Sequence, residues 1–83
     1  MNILELLNLG SNKLKQNKID THQLDSELVL SSLLKNQREN LIINQNKEVS
    51  KNIINNFETL MLRRAKKEPL AYILKKLVKL NLP

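Results

Sequence analysis

The apolar residues of this chain recur every three or four positions over most of its length, which is the spacing of one face of an α-helix. Proline occurs only at positions 69 and 83, and no segment alternates apolar and polar residues long enough to predict a strand. Short connections favour antiparallel packing of helices that follow one another. The pattern therefore predicts an all-α fold, a small bundle of four to five short helices with no sheet.

The predicted helices are placed by their apolar faces and by polar residues that can cap the first turn. They cover residues 3–17, 22–35, 37–44 and 51–66, and a last helix that Pro69 starts. The candidate caps are, in chain order, Asn2, Asp20 or Thr21, Asn36 and Ser50. Asp20 with Gln23, and Asn36 with Glu39, also have the spacing of a capping box.

The expected core is aliphatic, because the chain has one Phe, one Tyr and no Trp. The first helix is expected to bury Ile3, Leu4, Leu7 and Leu14, and the second Leu24, Leu28, Leu30, Leu33 and Leu34. The fourth carries the stripe Ile53, Ile54, Phe57, Leu60, Met61 and Ala65, and the last has Leu70, Ile73, Leu74, Leu77, Val78 and Leu80 on one face. Gly10 lies inside the first helix, where either a close helix approach or simple tolerance explains it.

The formal net charge of +6 is concentrated in the last quarter of the chain. Residues 1–62 contain seven Lys or Arg and seven Asp or Glu, whereas residues 63–83 contain seven basic residues and Glu68. Such a segment attracts acidic partners or phosphates. The plainer interpretation is a solvated helix end, where cations also suit the negative end of the helix dipole.

Residues for catalysis or metal binding are scarce. Cysteine is absent, and the lone histidine, His22, is expected to be an exposed surface residue. No glycine-rich loop follows a strand, so no nucleotide cradle is predicted. The longest apolar runs are too short to span a membrane, and the segment after Met1 lacks the pattern of a signal peptide. We therefore expect a cytoplasmic location, and we expect this chain to lack catalytic activity on its own.

One stretch has a more specific pattern than the rest. Residues 63–74 read Arg-Arg-Ala-Lys-Lys-Glu-Pro-Leu-Ala-Tyr-Ile-Leu. This resembles the end of the N-terminal domain of bacterial release-factor glutamine methyltransferases, the HemK/PrmC family. Upstream, residues 24–30 resemble that family's Leu-Asp-Ala-Glu-Leu-Leu-Leu helix, and the likeness continues in register from residue 1 to about 74.

The resemblance implies a role in translation termination. Family members transfer a methyl group from S-adenosylmethionine to a glutamine of class I peptide-chain release factors, and their helical N-terminal domain helps to recognise that substrate. By the same resemblance, the candidate partner-binding residues are Arg63, Arg64, Lys66, Glu68 and Tyr72. For Glu68 and Tyr72 the alternative is that they only shape the turn into the last helix. For Arg63 and Arg64 the alternative is that they contact the catalytic domain in full-length family members. In that case neither arginine has a binding role in this chain.

The chain also departs from the family pattern. Lys67 and Lys75 stand where the family usually has glycine, and the likeness stops after Lys76. We therefore expect a recognition domain over residues 1–76, a divergent extension of the last helix over 77–83, and no catalytic domain. On this interpretation the chain is inactive alone and holds no cofactor, and it is either a cut or frameshifted product or a genuine small protein.

Two further possibilities concern partners. Apolar side chains of residues 70–80 that would have met a catalytic domain are expected to be exposed, which predicts self-association. The alternative function is a small basic nucleic-acid- or ribosome-associated module. Base-stacking aromatics other than Tyr72 are missing from the basic segment, so nucleic acid is the less favoured partner.

Overall fold

Five α-helices form a bundle, and this confirms the predicted all-α architecture. The structure, a computed structural model, describes the backbone of residues 1–80 and the side chains of residues 1–77. The helices are α1 (Ile3–Gln16), α2 (His22–Leu33), α3 (Arg38–Ile43), α4 (Lys51–Ala65) and α5 (Leu70–Leu80). The pairing of Asn2 with Glu48 is the one β-bridge over residues 1–80. None of these helices has the length and apolar composition needed to cross a bilayer.

Two of the predicted helix caps are present. Asn2 and Glu5 form a reciprocal capping box at the start of α1, with hydrogen bonds of 2.8 and 2.9 Å. At the start of α4 the amide of Ile53 donates to Oγ of Ser50 at 3.3 Å. Both caps satisfy backbone N–H groups that have no partner inside the helix. These local signals therefore fixed the beginnings of the two longest helices.

The other two predicted capping hydrogen bonds are absent. Thr21 occupies the predicted cap position of α2, but its backbone is not extended and its hydroxyl donates to Asp25 Oδ2 at 2.9 Å. The helix α3 begins after Gln37, one residue later than a cap at Asn36 requires. The Asn36 side chain accepts a hydrogen bond from the neighbouring amide of Gln37. In both places the polar side chain makes another local hydrogen bond and does not cap the helix.

The helices α1 and α4 lie side by side and run in the same direction. Asn2, before α1, pairs with Glu48, before α4. At the other end, Nζ of Lys67, after α4, donates to the carbonyl of Asn17, after α1, at 2.5 Å. Between these ends the two helices touch at Gly10, where an added Cβ would lie 2.5 Å from Cζ of Phe57. The close approach of a neighbouring helix therefore explains this glycine, and the alternative of mere tolerance does not.

The buried faces of α1 and α2 agree with the prediction only in part. In α1 Ile3 and Leu14 are buried as predicted, but Leu6 is fully buried too and Leu4 is 41% exposed. In α2 Leu30 is buried as predicted, but Val29 is buried as well and Leu24 is 40% exposed. The helix α2 contacts all four other helices, so it has neighbours on several sides. Its buried surface consequently includes small polar residues and cannot be read as one apolar stripe.

The faces predicted for α4 and α5 are confirmed over the described side chains. The α4 residues Phe57, Leu60, Met61 and Ala65 are buried, with Ile53 and Ile54 half-buried beside them. In α5 Ile73 and Leu77 are buried, and Leu70 and Leu74 are half-buried. The side chains of Val78 and Leu80, and most of the predicted 77–83 extension, lie outside the described residues. The exposure expected for apolar side chains of this helix is not found at Ile73 and Leu77, and self-association stays a prediction.

Candidate functional site

The candidate site is the turn that joins α4 to α5, called here the α4–α5 corner and comprising residues 63–72. The chain leaves α4 after Ala65 and passes through Lys67, whose φ of 73° lies in the left-handed region. The amides of Lys67 and Glu68 donate back to the carbonyls of Arg64 and Arg63, at 2.9 and 3.2 Å. Pro69 then precedes the first turn of α5. Backbone N–H groups at the start of a helix have no partner inside it, so the N–H that proline lacks costs no hydrogen bond.

Arg63 and Glu68 form a two-point ion pair on the surface of the corner. Nε and Nη2 of Arg63 donate to the two carboxylate oxygens of Glu68, at 2.6 and 2.8 Å. Both side chains are about one-third exposed, 33% and 27%. The hydrogen bond from Arg63 lowers the pKa of Glu68 below its ordinary value, and the same bond raises the pKa of Arg63. The pair therefore holds a fixed, internally neutralised geometry.

Arg64 points the other way, into the domain. Its Nε donates to Oδ2 of Asp25 at 2.9 Å, and its Nη1 donates to the carbonyl of Glu68 at 3.0 Å. The side chain of Asp25 is only 3% exposed, and that of Arg64 is 18% exposed. Thr21 supplies a further hydrogen bond to the same Asp25 oxygen. Arg64 thus connects the corner to α2 and holds the turn in place.

Asp25 is the residue that the sequence did not single out. Acidic residues seemed scattered, and no local pattern placed any of them in a buried pair. Its partner Arg64 lies 39 positions away, so neither periodicity nor spacing could connect them. The available signal was that Asp25 and Arg64 each fall inside a stretch that resembles the same family.

Lys66 and Tyr72 complete the exposed residues of the corner, and Lys76 of α5 lies beside Tyr72. Lys66 and Lys76 are exposed, and Tyr72 is 49% exposed. The ammonium group of Lys76 lies 4.8 Å from the centroid of the Tyr72 ring, a cation–π arrangement. The structure therefore brings Arg63, Glu68 and Tyr72 close together, leaves Lys66 exposed, and turns Arg64 into the domain.

His22 has a structural contact and no catalytic one. Its Nδ1 shares a hydrogen bond of 2.6 Å with Oγ of Ser11, which joins α2 to α1. The residue is half-buried, so the expectation of an exposed histidine was wrong. The reason is the packing of α1 against α2, which a single helical pattern does not reveal. Among the described side chains, no three histidine or acidic groups come close enough to hold a metal ion.

Comparison with known proteins identifies relatives for most of the chain. The family described as PrmC N-terminal domain matches residues 5–74. A bifunctional methyltransferase of Rickettsia felis is 35% identical over 72 residues, covering 87% of this chain and 14% of the relative. A release factor glutamine methyltransferase of Leptospira interrogans is 35% identical over 71 residues, covering 86% of this chain and 25% of the relative. No solved structure gives a significant match.

The family match covers the whole α4–α5 corner. The chain spans 14% of the length of the first relative and 25% of the length of the second. The family match begins within α1 and ends within α5, so it includes both arginines, Glu68, Tyr72 and the buried Asp25.

Proposed function

The chain belongs to the PrmC N-terminal domain family, and from this premise we propose that its helical bundle recognises a class I peptide-chain release factor as the substrate of glutamine methylation. One observation carries the proposal. The family match covers 70 consecutive positions, residues 5–74, and the Leptospira relative that shares this region is named for action on a release factor. The partner of this chain is inferred from that name.

We propose the α4–α5 corner as the contact surface. Its outer side presents Arg63, Lys66, Glu68 and Tyr72, while Arg64 acts from beneath by fixing the carbonyl of Glu68. A surface that is already held by hydrogen bonds loses little conformational entropy on binding. Exposed tyrosine is also one of the residue types that most often contribute strongly to protein interfaces. These properties support the corner over the remaining exposed helix surfaces.

The chemistry of methyl transfer is not assigned to this chain. The single glycine, Gly10, lies inside α1 against Phe57 and not in a loop, which supports the proposal that the described residues bind no S-adenosylmethionine. No strand is present over residues 1–80 to carry such a loop. That the chain alone holds no cofactor and performs no turnover stays a prediction.

The proposal is tested by calorimetric titration of the purified chain with a class I release factor, at low and at moderate salt. We expect binding that survives moderate salt. Tyr72→Ala is expected to weaken it about tenfold, since it removes an exposed aromatic from the contact. Ile43→Ala is the matched control, because Ile43 is 76% exposed on α3 and lies outside the corner.

Two results would overturn the proposal. The first is the absence of release-factor binding by a chain whose circular dichroism shows it to be folded. The second is binding only to a duplex RNA control, with affinity that collapses as salt rises, because phosphate-driven binding depends steeply on salt. That second result would favour the basic nucleic-acid module instead.

A further inference from the structure

The arginines of the α4–α5 corner are already paired within the domain, whereas its lysines are not. Among the described side chains, the three arginines all form ion pairs with carboxylates, and no lysine forms one. The guanidinium group of Arg63 faces Glu68, and that of Arg64 faces Asp25. An arginine held in a two-point pair has few donors left for a partner. The positive charge that remains available at this corner therefore comes from lysine.

Two exposed lysines remain, one in the corner and one just after it. Lys66 is the C-cap residue that follows α4. Lys76, one turn after Tyr72 on α5, lies over the tyrosine ring and close enough to Glu68 to lower the pKa of that carboxyl further. Lys67 is different, because its ammonium group donates to the carbonyl of Asn17. Lys66 and Lys76 thus precede and follow the Glu68 turn along the chain.

We propose that Lys66 and Lys76 are the cations through which the corner attracts its partner, and that the matching surface of the partner carries carboxylates. The inference rests on the proposed function and specifies the chemistry of its interface. Exposed lysines are strongly hydrated point charges that interact at longer range, and they change the rate of association more than the packing of the complex. On this proposal the lysines raise the rate of association, and Tyr72 contributes to the packing of the complex.

The corner fits a protein carboxylate better than a nucleic-acid backbone. Phosphates are bound at two points by arginine guanidinium groups. The guanidinium groups of Arg63 and Arg64 are already paired with carboxylates. Binding to single strands also relies on aromatic rings that stack on bases. Tyr72 is the one aromatic residue exposed among the described side chains, and Lys76 lies over one face of its ring.

The test compares two pairs of lysine variants that change the net charge equally. Lys66→Gln with Lys76→Gln removes the corner cations. Lys47→Gln with Lys51→Gln is the control, because both lysines are exposed and Lys51 begins α4, about 22 Å along the helix from Lys66. Each protein is titrated with a release factor, with poly-glutamate and with a duplex RNA of matched charge.

We expect the corner pair to lose about three- to tenfold in affinity for the release factor and for poly-glutamate, and the control pair to lose less than about twofold. Lys66→Arg with Lys76→Arg restores the charge and is expected to restore the affinity. If the double glutamine variant does not fold, each single variant is measured instead.

Equal losses in both pairs would overturn the inference, since only the total charge would then matter. Tighter binding of RNA than of poly-glutamate, lost in the corner pair, would assign the surface to nucleic acid and overturn it too. Failure of the wild-type chain to bind the release factor would refute the proposed function alone. The poly-glutamate titrations would still decide whether the corner lysines select carboxylates.

Discussion

The buried carboxylate of Asp25 accepts a hydrogen bond of 2.9 Å from Nε of Arg64, so that the first turn of α2 is joined to the last turn of α4. A charge removed from water needs its partner, because an uncompensated buried charge is far more costly than either group in solvent. Thr21 and the carbonyl of Glu68 complete the network. The shape of the α4–α5 corner therefore depends on a residue of α2 that lies outside it.

The first prediction concerns this ion pair. Arg64→Met leaves the carboxylate of Asp25 buried without its cation, and we expect a loss of about 3–5 kcal/mol in the free energy of unfolding. Urea denaturation followed by circular dichroism measures the loss. Arg38→Met is the control, since Arg38 pairs with Glu27 at a more exposed site, and it should cost less than about 1 kcal/mol. Similar losses in the two variants would show that the burial of Asp25 does not matter.

The second prediction concerns the contact between α1 and α4. Gly10→Ala is expected to destabilise the fold by about 1–3 kcal/mol, although alanine is the better helix former, because its methyl group would overlap the Phe57 ring. Asn12→Ala, at an exposed position of the same helix, should instead be neutral or slightly stabilising. Thermal unfolding compares the two. Phe57→Leu replaces the ring with a smaller side chain. In that background Gly10→Ala should reduce the stability by less than it does in the wild-type chain.

The third prediction concerns the left-handed backbone of Lys67. Lys67→Gly relieves the strain of a φ of 73°, and Lys67→Ala keeps it, while both lose the bond to Asn17. We therefore expect the glycine variant to be more stable than the alanine variant by about 1 kcal/mol. Lys66, with a φ of −82°, provides the control: there glycine should be the less stable of the two. Chemical denaturation of the four variants checks both orderings.

The fourth prediction concerns the pH dependence of the Arg63–Glu68 pair. The pKa of Glu68 is lowered in the folded chain, chiefly by the hydrogen bond from Arg63, so the folded state binds a proton at Glu68 less readily than the unfolded state does. The contribution of the pair is then complete above the unfolded pKa and disappears as pH falls through the folded one. Wild type should exceed Arg63→Gln in stability at pH 7, and the difference should shrink as pH falls below about 5. A difference that stays constant down to about pH 3 would contradict the role of Glu68.

The sequence predicted those parts of the fold that depend on neighbouring residues. The cap at Asn2 and the apolar stripe of α4 are decided within a few positions, and both are confirmed. Leu4 was wrongly expected in the core, because one apolar stripe does not say where the neighbouring helices stand. Gly10 was recognised as unusual, but only the position of Phe57 explains it.

The candidate site could be predicted from the sequence only in part. The resemblance to a family selected the five candidate residues, and the structure shows Arg63 paired with Glu68 and leaves Lys66 and Tyr72 exposed. The exception is Arg64, which the charge pattern could not distinguish from Arg63. Its orientation is decided by Asp25, a residue of another helix that becomes a neighbour only on folding.

The parallel alignment of α1 and α4 also bears on the order in which the chain folds. At one end of the aligned pair of helices Met1 contacts Glu48, and at the other end Asn17 contacts Lys67. These contacts span 47 and 50 positions of sequence. Closing loops of that length costs more chain entropy than pairing helices that follow one another. We therefore expect α1 to meet α2, and α4 to meet α5, before the two long helices align. The final rate-limiting step of folding would then be the closure at Gly10 and Phe57.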